Sequence, residues 1–572
     1  MAGIHTILDI AQWSLHAQQL GIGVTSHNIA NVNSEGYSRQ RLVLEPARPQ
    51  NYAPGQLGRG VRPVTIERLY DRFLGIQLRN ELSTQGSLSA QAAYYRQLEA
   101  VYSGLSDSDL GAQLQSFWSA WEDLSLHPEG TTERVAVREA AQQLASRIKG
   151  LREKLVSMRD QLNRSVEISV ERVNELTGSI AQLNVEIMRA EASGQNANDF
   201  RDMSDKALDE LSGLLNVQFW EGDRGELSVV GPGGMALVME SHSWQLRTES
   251  PEEGLTDVIW EDARGNKVVI TEQIQSGSLG GMLRMRDQVV LRELDRLDGF
   301  ASALIWSLNK ELSTSVPVSP FRELSSKVQV DPAEALIGSS IPFGSKIQPG
   351  QIRIWLYDSS DPSLVLGSLE AVVDSGTTLE DLVDQINADP DNGGLLDASV
   401  GADGTLSLRA EAGALFAISQ DTSNVMAVLG VNGLFVGTGS VDISVREELL
   451  GDATLLGSGR VSSDGALNPG DNRAVMDVLA MRDAPVVGNE SPERAWSSAV
   501  AGLGVEASAA YRTSEYQDMV VGQMEDQKAS TSHVNLDEEM VRLLEYQWAY
   551  QAAARLIQTA REMLDTVVGL LD

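Results

Sequence analysis

An apolar stripe near the C-terminal end narrows the possible folds of this chain more than any other feature. Leu543, Tyr546, Tyr550, Ala553, Ile557, Ala560, Leu564, Val567 and Leu571 succeed one another at steps of three and four, with no charged residue among them. On a helix they form a seam about 40 Å long, at roughly 1.5 Å of rise per residue. A lone amphipathic helix at a chain end frays unless such a seam meets a partner. The other end offers one. Leu8, Ala11, Leu15, Gln18, Ile22, Thr25 and Ile29 repeat the spacing, with polar breaks at Gln18 and Thr25. The expected structure is a two-helix coiled coil built from the two ends. The alternative is two terminal helices docked separately on a globular core.

The intervening chain alternates between two periods. From about Leu74 to Leu215 the spacing is helical, as in Val173, Leu176, Ile180, Leu183 and Ile187. Short alternating runs follow (GDRGELSVV, GPGGMALVM, LTDVIWEDARGNKVVI) and predict a small antiparallel β domain. Helical spacing returns at Val290, Leu294, Leu297, Ala301, Leu304 and Leu308. A second β-rich segment runs from about Pro317 to Val445, with a turn at Asp403-Gly404 and one short helix in TTLEDLVDQIN. The final helical stretch opens at Ser491, an N-cap followed by Pro492 and a first-turn Glu493. A chain of 572 residues predicts about four domains. The predicted class is α+β multidomain. Residues 1–45 with 531–572 form a terminal coiled coil. Residues 46–215, 281–316 and 446–530 form a helical-bundle stem, with β-rich lobes inserted at 216–280 and 317–445.

Chemistry is hard to find. Asp plus Glu number 80 against 45 Lys plus Arg, a net charge of −35, and such a surface repels phosphate backbones, so no nucleic-acid partner is expected. Cysteine is absent, which excludes disulfides, thiol nucleophiles and thiolate metal sites. His5, His16, His27, His127, His242 and His533 are too far apart for a helix-borne metal pair. No Gly-Lys dipeptide exists to make a phosphate-binding loop. Asp389, Asp391 and Asn392 resemble the start of a calcium loop, but Gly393 stands at the fifth position and Pro390 favours a plain turn. Gly58-Arg59-Gly60 lies in a Pro- and Gly-rich stretch and is expected to be an extended loop. No run of about 18 apolar residues predicts a membrane span. The first positive side chain is Arg39, so no cleaved Sec-type signal is expected. No cofactor and no catalytic residues are predicted: the chain is expected to be a non-enzymatic structural protein.

Two segments go further. TSHNIANVNSEGYSR (25–39) follows the N-terminal helix, with turns expected at Asn31 and Asn33 and a positive φ at Gly36. With Gln40 it resembles the signature of bacterial flagellar axial proteins, carried here by Ser26, Asn28, Asn31, Asn33, Gly36 and Tyr37. VNLDEEMVRLLEYQWAYQAAARLIQTAREMLDTVV resembles the matching C-terminal helix of those proteins. Length and layout are most similar to the hook-associated protein 1 family, found at the hook–filament junction.

The resemblance implies terminal helices lining an inner tube, a helical stem around it and outward β lobes. It implies export, unfolded and uncleaved, through the flagellar type III apparatus to an extracellular location. The implied partners are like subunits, hook protein, the second hook–filament junction protein and a dedicated export chaperone on the C-terminal helix. It implies that residues 1 to about 40 and about 535 to 572 are mobile in the purified monomer. A hook protein or flagellin is the rival within the class. A secreted adhesin or enzyme on a helical stalk is the rival outside it.

Overall fold

The computed structural model describes residues 2–52, 55–102, 109–250, 254–262 and 264–569, so Leu571 lies outside the described residues. In chain order the helices are α1 (Ala2–Ala30), α2 (Arg72–Tyr102), α3 (Leu110–Leu126), α4 (Thr131–Ala192), α5 (Asn198–Leu214), α6 (Gly277–Arg284), α7 (Val290–Leu312), α8 (Leu379–Ala388), α9 (Val425–Val428), α10 (Glu447–Gly451), α11 (Arg473–Ala480), α12 (Pro492–Ser532) and α13 (Leu536–Gly569). The protein is α+β and multidomain, with long helices at its ends and several small antiparallel sheets. Two compact units emerge. One holds residues 1–94, 161–287 and 508–572, and the other holds residues 95–160 and 288–507. No described helix is long and apolar enough to cross a membrane.

In the first unit α1 and α13 pack on each other, and α1 also packs on a β ribbon. The ribbon pairs Gln40–Pro46 with Val61–Arg68, slipping by one residue between Val43 and Leu44. A smaller hairpin, Gln50–Tyr52 with Gly55–Leu57, extends it. Helical stem was expected from residue 46 onward. Three prolines (Pro46, Pro49 and Pro63) explain the difference, since each lacks an amide donor and suits an edge or turn. At Gly60 the backbone has φ +88° and lies against Ile10 of α1, where a Cβ would stand 3.5 Å from the Ile10 backbone. Further along the chain, residues 218–243 make a four-stranded sheet and residues 246–269 a three-stranded one. Both pack on α4, α5 and α6 around Val166, Val173, Ile180, Leu208, Val229 and Leu279.

In the second unit the six predicted α7 positions from Val290 to Leu308 are all buried. Phe117, Trp118 and Trp121 of α3 are fully buried, and the Phe117 ring lies 5.0 Å from Trp118, 6.2 Å from Trp121 and 6.3 Å from Phe435. α3 starts where Asp109 accepts the Ala112 amide at 2.7 Å. Residues 446–490, expected in the helical stem, contain the short helices α10 and α11 and a 3-10 turn at Ala453–Leu455 between irregular turns.

The second β segment has a core of its own, from Phe321 to Val431. One sheet orders its strands Val365–Val373, Gly350–Asp358 and Ala414–Asp421, and another orders Glu323–Ser325, Leu406–Ala410 and Leu396–Val400. α8 starts with a reciprocal cap: the Thr378 hydroxyl accepts from the Asp381 amide at 3.1 Å, and the Asp381 carboxylate accepts from the Thr378 amide at 3.0 Å. Asp389 and Asn392, the calcium look-alike, serve the backbone instead. Asn392 donates to the Ile386 and Leu396 carbonyls at 3.0 and 2.9 Å, and Asp389 accepts from the Glu370 amide at 3.0 Å. That amide lies on the outer rim of the first sheet. Its neighbour on the same rim, Val372, donates to Gln385 at 2.8 Å. On the opposite rim Phe321 and Phe416 exchange backbone hydrogen bonds of 2.8 and 2.9 Å. The chain leaves α7 at Ser315 and returns at Asn432, whose amide donates to the Leu312 and Ser315 carbonyls, both at 2.9 Å. The two ends of this insertion therefore meet.

Candidate assembly site

The terminal helices run antiparallel. Asn28, near the end of α1, reaches Glu539 at the start of α13, and Gly21 lies against Tyr546. Along α13, Ala553 and Ala560 are buried, while Leu543, Tyr546, Ile557, Leu564 and Val567 are half-buried. Tyr550 sits at the margin of this stripe with 38% of its surface exposed. The N-terminal line is displaced from expectation. Ala11 is buried, but Leu8, Leu15, Ile22 and Ile29 are only half-buried. Of the expected line Ala11 and Thr25 are buried; the other buried positions, Thr6, Ala17, Gly21 and Asn28, lie about a third of a turn away at roughly 100° per residue. Small side chains explain the shift. A Cβ on Gly21 would stand 2.7 Å from the Tyr546 ring, so the backbone approaches where nothing bulky intervenes. Larger neighbours flank that line.

The signature segment is the joint between these helices. At its start the Asn31 side chain donates to the His27 carbonyl at 3.1 Å and accepts from Ser34 at 3.0 Å; Gly36 has φ +82°. Ser26 and Asn33 are exposed. Asn28 is 1% exposed. Its Nδ2 donates to the Gln40 carbonyl and to Glu539 Oε2, each at 2.9 Å. Its Oδ1 accepts from the Tyr37 hydroxyl at 2.8 Å and the Gln40 amide at 3.0 Å. Burial, with Asp199, Asp202 and Glu539 nearby, pushes the Tyr37 phenol well above its ordinary range, so it stays a donor. Arg39 donates from Nε to Glu539 at 2.8 Å, and its Nη1 lies 2.8 Å from Glu538. Burial alone would lower this guanidinium, and the hydrogen bonds with Glu538 and Glu539 outweigh it and raise it. The Arg39 amide donates to the Ser532 carbonyl, closing the end of α12 onto the same point at 2.8 Å. These contacts tie both helices to the loop between them and to the end of α12.

Sequence reasoning missed the support beneath this joint. Asp199, Asp202, Asp205 and Asp209 recur on α5 at steps of three, three and four, which places them on one face. That spacing was the available signal. Asp199 accepts from the Gln40 side chain at 2.7 Å and Asp202 from the Ser38 amide at 2.8 Å. Arg68 bridges Asp202 and Asp205 at 3.0 and 2.5 Å. Arg79 bridges Asp205 and Asp209 at 2.7 and 2.6 Å, and Lys528 reaches Asp209 at 2.8 Å. A cavity of about 900 Å³ opens beside these residues, between Tyr37, Tyr70, Leu78 and Lys528. Its three aspartates are already engaged by Arg68, Arg79 and Lys528, so the charges serve the joint. Among the described residues no cluster of His, Cys, Asp and Glu is arranged to hold a metal.

Two of these aspartates have opposite pH behaviour. At Asp205 burial acts to raise the carboxyl, but Arg68 and Arg79 outweigh it and hold it below its ordinary value. Its contribution is present above the ordinary carboxylate range and is lost as pH falls through the lowered value. At Asp202 burial outweighs the Ser38 and Arg68 hydrogen bonds and raises the carboxyl. Its ionisation therefore costs stability once pH rises above the ordinary range, and that cost persists at neutral pH. Asp205→Asn is expected to destabilise the first unit by about 3 kcal/mol at pH 7, since it strips charge from two buried arginines. Asp202→Asn is expected to be neutral or stabilising, because an amide oxygen still accepts from Ser38. Urea unfolding at pH 7 compares them, and equal losses from both would contradict the assignment.

α13 has a second apolar stripe, facing away from α1. Val541, Leu544, Trp548, Leu556 and Met563 are all exposed, Trp548 to 65%. A stripe of this length on a polar helix marks an interaction surface.

Known proteins resemble this part of the chain in sequence. A family model described as the flagellar basal body rod FlgEFG protein C-terminal matches residues 527–570, the end of α12 and all of α13. The basal-body rod protein FlgG of Buchnera aphidicola (Schizaphis graminum) is 35% identical over 79 residues, which is 11% of this chain and 30% of that protein. At this end the chain is thus similar to axial proteins of the bacterial flagellum. A second family model, the flagellar hook-associated protein FlgK helical domain, matches residues 95–316. Flagellar hook-associated protein 1 of Salmonella typhimurium LT2 is 26% identical over 99% of this chain and all of its own length, and that of Bacillus subtilis 168 is 24% identical over 98% and 97%. Along nearly its whole length the chain is similar to the flagellar hook-associated protein 1 family. The solved hook junction protein FlgK of Burkholderia pseudomallei shares the fold, with a TM-score of 0.54 over 79% of this chain and 99% of that one, at 17% identity.

Proposed function

We propose that the chain is a non-catalytic subunit joining hook to filament, built into the flagellum through its terminal helices. The observation that carries this reading is the terminal pair itself. One face of α13 is closed against α1, and the other presents Val541, Leu544, Trp548, Leu556 and Met563 to solvent. An exposed apolar stripe beside a self-contained joint suits repeated contact with like subunits, and heterologous contacts of that kind generate helical assemblies. The partners at either side would be hook protein and the second junction protein. Before assembly the same stripe is an aggregation hazard, which suits a dedicated export chaperone on α13, passage through the type III apparatus and an extracellular destination.

A deletion strain tests the position. Electron microscopy is expected to show intact hooks without filaments, and normal filaments would sink the reading. The surface is tested by Trp548→Asp with Leu556→Asp. Both side chains point away from α1, so the folded joint should persist while two charges enter any subunit contact. Export into the medium with no filament growth is the expected result. Filaments of ordinary length would place the contact elsewhere.

A further inference from the structure

The second β segment touches α7 on the side of its own core. There the Phe343 ring lies 5.7 Å from Trp306 of α7, and α9 packs on the same helix. Its central strand, Gly350–Asp358, sends Ile352, Ile354 and Leu356 into that core. Trp355 and Tyr357 fall on the other face of the sheet. What covers them comes from beyond the segment in sequence: Val461 and Leu467. The stretch carrying these two residues is pinned at three places. At its start Val316 and Gly459 exchange backbone hydrogen bonds of 2.9 and 3.2 Å. Arg460 then donates to the Thr314 hydroxyl at 2.6 Å, to Glu311 of α7 at 3.0 Å and to Asp477 of α11 at 2.7 Å. At its end Asp471 accepts from the Arg460 amide at 2.9 Å, and Asn472 donates to the Ser125 carbonyl of α3 at 2.9 Å. Between these anchors the chain turns at Ser462–Ala466 and lays its tip on the sheet. The Tyr357 hydroxyl donates to the Gly465 carbonyl at 3.0 Å. Gly465 is buried with φ +85°, and a Cβ there would stand 2.6 Å from the Trp355 ring.

We infer that residues 459–471 form a strap that fixes the direction in which the second β segment leaves α7, so that segment and helix move as one body. A contact on one face can open like a book, because separation at the far edge costs only that edge's packing. A hold on the other face opposes the opening. Opening here would uncover Trp355 and Val461 and strip the buried Tyr357 hydroxyl of its acceptor. Glycine at 465 lets the tip lie this close, since any Cβ would meet both the ring and an unfavourable backbone. The meeting of chain ends at Ser315 and Asn432 fixes a point and not a direction. The core of the segment draws none of its buried members from the strap, since they run from Phe321 to Val431. The strap lies wholly in the second compact unit, so this reading depends neither on the terminal helices nor on where the chain assembles.

Distances between spin labels test the strap in the full-length chain. The chain has no cysteine, so Asp295→Cys on α7 and Asp384→Cys on α8, both exposed positions, carry the only two labels. With the strap intact, double electron–electron resonance is expected to give one narrow distance. Gly465→Val lifts the tip, and Arg460→Gln frees the anchored start. Each is expected to broaden the distance distribution about twofold. Hydrogen–deuterium exchange of α8 and of the strands Leu396–Val400 and Leu406–Ala410 is expected to match the unmodified chain, since their core is untouched. Unchanged widths would mean that α9 and Trp306 alone set the direction. Broadening in one variant only would mean that the stretch does not act as a strap held at both ends. Either result overturns the inference. So does faster exchange in α8, which would make the stretch part of the segment's own fold.

Discussion

Gly21→Leu is expected to abolish filament formation while leaving the second compact unit folded. A Cβ at this position would lie 2.7 to 2.8 Å from three atoms of the Tyr546 ring, closer than side chains approach one another. Even Gly21→Ala sets two terms in opposition. Alanine favours a helix interior over glycine by about 1 kcal/mol, and forced contact in a packed interface costs about 1–3 kcal/mol. The sum is a modest loss. Leucine adds three more carbons toward the same ring, so the helices must separate along much of their length. Export followed by bald cells under the microscope is the expected phenotype. Tyr546→Ala should restore space, and Gly21→Leu with Tyr546→Ala should regain filaments in part. If Gly21→Leu cells swim normally, the antiparallel joint is not what the assembly uses.

The second large effect belongs to the other unit. Trp121 is 0% exposed and is part of the aromatic group that links α3 through Phe117 to Phe435. Trp121→Ala should destabilise this unit by about 3–5 kcal/mol, through lost burial and the cavity left behind. Trp121→Phe should behave quite differently. The buried Trp121 indole nitrogen finds no hydrogen-bond partner, so phenylalanine removes an unsatisfied donor while keeping most of the apolar surface. A loss below about 1.5 kcal/mol is expected. Denaturant titration followed by near-ultraviolet circular dichroism separates the two variants. A phenylalanine variant as damaged as the alanine one would mean that the indole nitrogen is satisfied.

Much of the architecture was legible because burial follows period. The α7 positions, the α13 seam and the start of α12 after Ser491 were all readable from spacing and capping chemistry. What stayed hidden had physical causes. The buried line on α1 is made of Ala17, Gly21, Thr25 and Asn28, residues to which an apolar pattern assigns little weight, though close backbone approach requires them. The ribbon from Gln40 to Arg68 was masked by its prolines, which interrupt alternation without preventing an exposed two-stranded pairing. The Arg68, Asp205, Arg79 and Asp209 ladder joins positions more than a hundred residues apart, and no local rule pairs charges over such distances. The motif residues were visible as a signature. That Asn28 and Tyr37 bond to each other, and that Arg39 reaches Glu539, depends on the fold.

The rims of the sheet in the second β segment bear on a hazard that any repeating assembly faces. An open strand edge is a template: an identical strand from another molecule can add to it, and once copies are crowded together such growth has no natural end. Here Asp389 and Gln385 already occupy the amides of Glu370 and Val372 along one rim, and Phe321 occupies the other at Phe416. A neighbouring molecule would have to displace bonds that are already made. At these positions crowding meets bonds already made, which hinders the recruitment of this sheet into cross-β stacking.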